Sequence, residues 1–300
     1  MSTAVPIDRD RPVTTATLRA MKPAHRPIAM ITAYDASSAR LADAAGVDAI
    51  LVGDSLGMVV LGYDSTLPVT MDDMVRATAA VTRVVSRPLV VADLPFMSFQ
   101  VSPEEALRNA GRLMADGGAR AVKLEGGAEI APTVARLHAA GIPVVGHIGL
   151  TPQSVHELGG YKVQARETAS AIRLVEDALA LQEAGCFAVV LECIPAELAA
   201  VVSAELAIPT IGIGAGAGCD GQVQVFHDLL GLAGDFKPKH ARRYADVGEI
   251  VREALTAYVG DVRDGSMASE ETCTHADPRV IAEVDGARKR AHTARRRDKA

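Results

Sequence analysis

The chain has 300 residues, 49% of them hydrophobic and 3% aromatic, with a formal net charge of −6. A core made mainly of Ala, Val, Leu and Ile suits an α/β protein, and one large domain is enough for this length. The acidic balance argues against a nucleic-acid partner, no run is long and apolar enough to span a bilayer, and the opening MSTAVPIDRDRPVTT lacks the apolar stretch of a signal peptide. The expectation is a cytoplasmic protein that works on small molecules, not on membranes.

Strand-like runs alternate with helical ones along most of the chain. The strand candidates are IAMITAY (28–34), AILVGDS (49–55), PLVVADLP (88–95), AVKLEGG (121–127), PVVGHIG (143–149), FAVVLEC (187–193), PTIGIGAG (209–216) and VQVFHDLLG (223–231). Between them, Ser102-Pro103-Glu104-Glu105 reads as a capping box with Pro at the first helical position, and Thr70 with Asp73 as a weaker one. Leu107, Ala110 and Leu113/Met114 fall on one helical face, as do Ile130, Val134 and Leu137. Gly46, Gly117-Gly118, Gly141 and Gly185 read as helix stops, each followed by the next apolar run. This grammar predicts a parallel sheet closed as a (β/α)8 TIM barrel, a single domain over 1–275 with a short N-terminal helix; a doubly wound sheet is the alternative. Residues 276–300, ending in Arg288, Lys289, Arg290, Arg295, Arg296, Arg297 and Lys299, read as a basic, disordered tail.

Five of the apolar runs end in a residue able to do chemistry: Asp54, Asp93, Glu125, His147 and Glu192. Parallel strands are buried, so the polar group at each C-terminal end is the first to reach open space, and in a barrel all five converge on one mouth. Acids gathered there repel one another and lose hydration unless a cation joins them. The all-oxygen set favours Mg²⁺, or another hard divalent ion, over Zn²⁺. Lys123, two residues before Glu125 on the same strand face, is either a partner for a substrate carboxylate or half of a structural ion pair. A Schiff-base role is disfavoured, because neighbouring acids hold its ammonium form. Glu192, alone at the end of VVLEC and across the barrel from Asp54, suits a general base. His147 is either an orienting group or proton relay, or a hydrogen-bonded histidine at the rim.

Other features carry less chemistry. The segment HELGGYKVQARE (156–167) is too polar for core and follows the fifth strand, which makes it a candidate lid. The glycines from Gly212 to Gly218 match a dinucleotide fingerprint only permissively and follow a late strand, so tight packing or close approach to a ligand is preferred. Cys186, Cys193, Cys219 and Cys273 form no CxxC pair; the first three read as fillers.

The strings ITAYD (31–35), LVGDSLGM (51–58), GYDSTLPVTMDDM (62–74), ADLPFMSF (92–99), VKLEGG (122–127), GHIGLTPQSVHELGGYKVQ (146–164), LECIPAEL (191–198) and IPTIGIGAGAGCDGQV (208–223) together resemble the ketopantoate hydroxymethyltransferase family, from about Thr14 to about Gly265. The resemblance implies a (β/α)8 barrel that transfers a hydroxymethyl group from 5,10-methylenetetrahydrofolate to 3-methyl-2-oxobutanoate through a Mg²⁺-stabilised enolate. It implies Asp54, Asp93 and Glu125 as metal ligands, Glu125 directly or through water. Asp54, Ser55, Asp93 and Lys123 become substrate contacts, Glu192 the proton acceptor, and Tyr161 and Lys162 folate-side lid residues. It also implies a homo-oligomer, a decamer in many members. Ala36 stands where the family often has an aromatic residue, Ala165 where it has glycine, and His156 where it often has asparagine. A Mg²⁺-dependent lyase or mutase of the isocitrate lyase and phosphoenolpyruvate mutase type is the alternative activity.

Overall fold

The structure, a computed structural model, describes residues 11–232, 238 and 241–297. Among these, eight parallel strands close in chain order: β1 (Ile28–Thr32), β2 (Ala49–Val52), β3 (Leu89–Asp93), β4 (Ala121–Glu125), β5 (Val144–Gly149), β6 (Ala188–Glu192), β7 (Thr210–Ile213) and β8 (Gly221–Gln224). Pairing of β8 back to β1, with Ile28 opposite Gly221, makes this a barrel and rules out the doubly wound sheet. The helices are α1 (Thr15–Met21), α2 (Ala36–Ala45), α3 (Leu56–Val59), α4 (Met71–Thr82), α5 (Pro103–Ala115), α6 (Ala131–Ala139), α7 (Thr168–Glu183), α8 (Ala196–Glu205), α9 (Phe226–Leu230), α10 (Val247–Asp264) and α11 (Pro278–Arg297).

Strand alternation sorts the core into two layers. Leu89, Val91, Ala121, Val145, Ala188 and Val190 form the barrel interior, while Val90, Ala92, Val122, Leu124, Val144, Val189 and Leu191 pack outward against the helices. Each helix contributes its predicted face: Ala110 and Leu113 on α5, Val134 and Leu137 on α6, all buried. Val13, Leu18 and Met21, from α1 and the residues before it, join the interior cluster and close the end where the strands begin. That leaves the opposite end open for chemistry.

Several expectations need correcting. The run VQVFHDLLG is not one strand: β8 stops at Gln224 and α9 starts at Phe226, because Thr32 Oγ1 accepts the Phe226 N–H at 2.9 Å and Gly231 ends the turn in the left-handed region at φ 66. The two capping boxes exchange rank. Thr70 and Asp73 cap each other reciprocally, whereas Ser102 takes the Glu105 N–H without a return bond from the Glu105 side chain. The chain divides into two compact units, Met1–Asp246 and Val247–Ala300. Within the second unit, α11 is helical where a disordered tail is expected; AEVDGARKRAHTARRR is rich in helix formers.

Candidate active site

The inward-facing rows of four strands end at the open mouth in polar residues. On β3 the row Leu89-Val91 ends in Asp93, on β4 Ala121 is followed by Lys123 and Glu125, on β5 Val145 by His147, and on β6 Val190 by Glu192. Asp54 arrives differently. Its parity would place it with the outward residues Ile50 and Val52, but β2 ends at Val52 and the turn through Gly53 delivers it to the mouth, where its N–H donates to Asp93 Oδ2 at 3.2 Å.

The buried groups form one network. Lys123 Nζ lies 3.2 Å from Asp93 Oδ1, 3.1 Å from His147 Nδ1 and 3.9 Å from Glu125 Oε1. His147 Nδ1 is 3.3 Å from Glu125 Oε1, and its Nε2 is 3.1 Å from Glu192 Oε2, near enough for an ion pair without the alignment of a full hydrogen bond. Glu192 is therefore not the lone carboxylate that its strand suggests. Its side chain is 16% exposed and has the imidazole beside it.

The electrostatics divide the acids. Burial pushes the Asp54 carboxyl well above the ordinary carboxylate range, and repulsion from Asp93 and Glu125 adds to it. Burial also raises Asp93, although the Lys123 ammonium opposes the shift. At Glu125 burial again acts upward, but the hydrogen bond and charge of His147, with Lys123, outweigh it and hold the carboxyl low. Burial and the Lys123 charge act against the imidazolium of His147, yet the carboxylates of Glu125 and Glu192 beside it carry the ring up to about 9. Burial likewise acts against the Lys123 ammonium, but Asp93, Glu125 and Asp54 more than offset it and raise the pKa, which favours the ammonium over the neutral amine that a Schiff base needs.

Asp54 and Asp93 suit a hard cation. They are adjacent, all-oxygen and repelled by each other, and Asp93 Oδ1, buried beside Lys123, makes no aligned hydrogen bond. Among the described residues no three acid, histidine or cysteine side chains converge as a ready ligand trio. A Mg²⁺-like ion needs only one or two carboxylates when substrate and water supply the other oxygens, so two are sufficient. Glu125, the expected third ligand, is engaged elsewhere: its Oε2 accepts the Gln153 N–H at 2.9 Å while its Oε1 faces His147 and Lys123.

Two residues at the site were not singled out by sequence reasoning. Gln153, in a 3-10 turn over Pro152–Ser154, donates through Nε2 to Asp54 Oδ2 at 2.8 Å and to the Leu94 carbonyl at 3.0 Å. Its Oε1 accepts from Gln100 at 3.1 Å. Tyr34 bonds to Ser55, with hydroxyl and Oγ 2.8 Å apart. Both stand inside recognisable strings, TPQ and ITAYD; Gln153 lies in a turn, and Tyr34 closes the run IAMITAY although β1 itself ends at Thr32.

The segment 156–167 has no buried residue and leads from the Gln153 turn to the start of α7. Tyr161 reaches Met58 Sδ at 3.6 Å and feels the charges of Asp54, Glu192 and Glu125, which puts the segment at the mouth; Lys162 is exposed beside it. Ala165 sits at φ 54, in the left-handed region that glycine adopts without strain. The glycine run is packing, not a cofactor loop: a methyl on Gly216 would stand 2.4 Å from Ala196 Cβ, and one on Gly218 2.8 Å from Ala200 Cβ, both on α8.

The sequence pattern of the ketopantoate hydroxymethyltransferase family matches residues 12–270. The chain belongs to this family. A 3-methyl-2-oxobutanoate hydroxymethyltransferase of Chloroflexus aurantiacus is 56% identical over 279 residues, 93% of this chain and 99% of that protein. Proteins of the same name are 58% identical in Chloroflexus aggregans (86% of this chain, 92% of that one) and 54% in Carboxydothermus hydrogenoformans (91% and 99%). Among solved structures, a 2,3-dimethylmalate lyase of the PEP mutase/isocitrate lyase superfamily aligns with a TM-score of 0.55 at 19% identity, covering 94% of this chain and 98% of that one. A phosphonopyruvate hydrolase complexed with oxalate and Mg²⁺ gives 0.55 at 17% identity, with the same coverages. At such identities the likeness is one of fold.

Proposed function

We propose that this member of the ketopantoate hydroxymethyltransferase family transfers a hydroxymethyl group to 3-methyl-2-oxobutanoate, giving 2-dehydropantoate for pantothenate and coenzyme A synthesis. The folate 5,10-methylenetetrahydrofolate donates the carbon, and water the oxygen, since a methylene carries none. The observation that carries the reading is the division of the mouth into two adjacent acids, Asp54 and Asp93, joined by the Asp54 N–H at 3.2 Å, and a separate carboxylate, Glu192, held against His147. Relatives more than half identical over nearly their whole length support it over a lyase or mutase, which is supported by fold likeness alone.

Each residue then has a task. Asp54 and Asp93 would hold a divalent cation, Mg²⁺ by resemblance, with Glu125 as a further ligand through water. Bound there, the ion supplies Lewis-acid polarisation of the ketoacid's carbonyl, worth several kcal/mol in such reactions. Lys123 and Ser55 take the substrate carboxylate. Glu192 removes the proton from C3, and His147 Nε2 orients the receiving carboxylate. Tyr161 and Lys162 close over the folate side. A homo-oligomer, a decamer by resemblance, is supported by α10, whose Val251, Leu255, Tyr258 and Val262 recur at three- to four-residue spacing while no α10 residue is buried.

Deuterium exchange at C3 of 3-methyl-2-oxobutanoate tests the assignment, followed by NMR in heavy water with Mg²⁺ and no folate. The wild type should exchange, and EDTA should stop it. Glu192→Gln should slow exchange by about 10²–10⁴-fold while metal and ketoacid still bind. Exchange by that variant at the wild-type rate would remove Glu192 as the base and turn attention to His147.

A further inference from the structure

Ser55 precedes α3 with helical backbone angles, φ −54 and ψ −16, and the first-turn amides already have carbonyl partners, the Leu56 N–H bonding to Gly53 at 3.1 Å and the Gly57 N–H to Asp54 at 2.9 Å. The Ser55 hydroxyl caps none of them. Its Oγ lies instead 2.8 Å from the Tyr34 hydroxyl, on a side chain buried at 5% exposure just beyond the end of β1. Gly53 makes the arrangement possible. A methyl there would stand 2.9 Å from Ser55 Oγ and 3.4 Å from Asp93 Oδ2, so the serine oxygen is seated beside the carboxylate pair. The Tyr34 ring is itself fixed against His227, with centroids 5.6 Å apart and planes at 38°.

The chemistry of the two hydroxyls gives the bond a direction. Each has one proton to donate and lone pairs to accept with, and a phenol is a far stronger acid than an alcohol, which makes it the better donor. With Tyr34 donating, Ser55 accepts through one lone pair and keeps its own proton for another partner. Without that anchor, its hydroxyl is free to leave this orientation for another staggered one.

We propose that Tyr34 is a positioning residue that holds Ser55 as a hydrogen-bond donor to the carboxylate of the 2-oxoacid. The proposal rests on the reading that Ser55 contacts the ketoacid; Tyr34 itself acts only through Ser55.

Steady-state kinetics of Tyr34→Phe, Ser55→Ala and the double variant, with Mg²⁺ and folate saturating, test it. Tyr34→Phe should raise KM for the ketoacid about tenfold, the scale of one hydrogen bond to a charged group, with kcat within about threefold and KM for the folate unchanged. In the Ser55→Ala background it should add nothing further. Half-saturation of folate-free C3 exchange should shift by the same factor. An equal rise of KM in the Ser55→Ala background, or a fall in kcat with KM unchanged, would overturn the proposal and make Tyr34 a packing residue. If Ser55→Ala raises KM and Tyr34→Phe does not, the role of Tyr34 alone fails. If Ser55→Ala leaves KM at the wild-type value, the ketoacid contact fails and the positioning role fails with it.

Discussion

Both ends of the barrel bury charge, with opposite balance. Where the strands begin, Asp48 is one acid shared by two cations: its Oδ1 faces Arg87 at 3.0 Å and Arg26 at 3.2 Å, and its Oδ2 accepts the Ala29 N–H at 3.0 Å. Arg87 also donates to the Val47 carbonyl at 2.6 Å. At the mouth the ratio is reversed, with Asp54, Asp93 and Glu125 sharing the ammonium of Lys123 and the ring of His147. At the closed end both Asp48 oxygens have donors, two guanidinium groups on one and a backbone N–H on the other. At the mouth burial, with repulsion from neighbouring acids, raises Asp54 and Asp93, the pair proposed to hold a cation.

Substitutions at the two ends should therefore separate activity from stability. Asp54→Asn is expected to have the largest effect, lowering turnover about a thousandfold, because a proposed metal ligand worth several kcal/mol is lost. Without added metal, its melting temperature should equal or exceed that of the wild type, since one of the repelling carboxylates is gone. Thermal melts beside turnover assays check both halves, and a large drop in melting temperature would end the contrast. Asp48→Ala should do the reverse. Stranding Arg87 should cost about 3–5 kcal/mol of stability, a shift of roughly 10 °C, with kcat of the folded fraction within about twofold.

Smaller changes sharpen the comparison within the mouth. Gln153→Ala removes the amide that orients Asp54, and the Mg²⁺ concentration for half-maximal activity should rise about 10–100-fold with the ketoacid saturating. No change in the metal requirement would make Gln153 simply a loop anchor. Lys162→Ala should have the mildest effect, a few-fold rise in KM for 5,10-methylenetetrahydrofolate with a smaller one for the ketoacid. Equal rises would argue against a lid on the folate side.

Much of this was legible in the chain. The strand runs and their glycine stops carried the fold, as at Gly46, which caps α2 at φ 82 and accounts for that stop at once. Asp93, Lys123, Glu125, His147 and Glu192 were legible as mouth residues because strand parity and strand ends are local properties. Asp54 was found for an incomplete reason, since its parity points outward and only the turn at Gly53 brings it in. The end of β8 was missed because the Thr32 hydroxyl that receives the Phe226 N–H lies 194 residues away.

By itself, then, the sequence determined the alternation of strands and helices, which side chains stand on each inward row, and the family to which the chain belongs, because backbone periodicity and burial are written in neighbouring residues. Tertiary structure alone decided which of these groups satisfy one another. It turned Glu125 toward Gln153 and His147, set Asp54 beside Asp93, and placed the Ser55 hydroxyl against Tyr34. Such choices depend on distances of about 3 Å between residues from different strands, and hydrogen bonds and Coulomb forces at that range act through space without regard to separation along the chain.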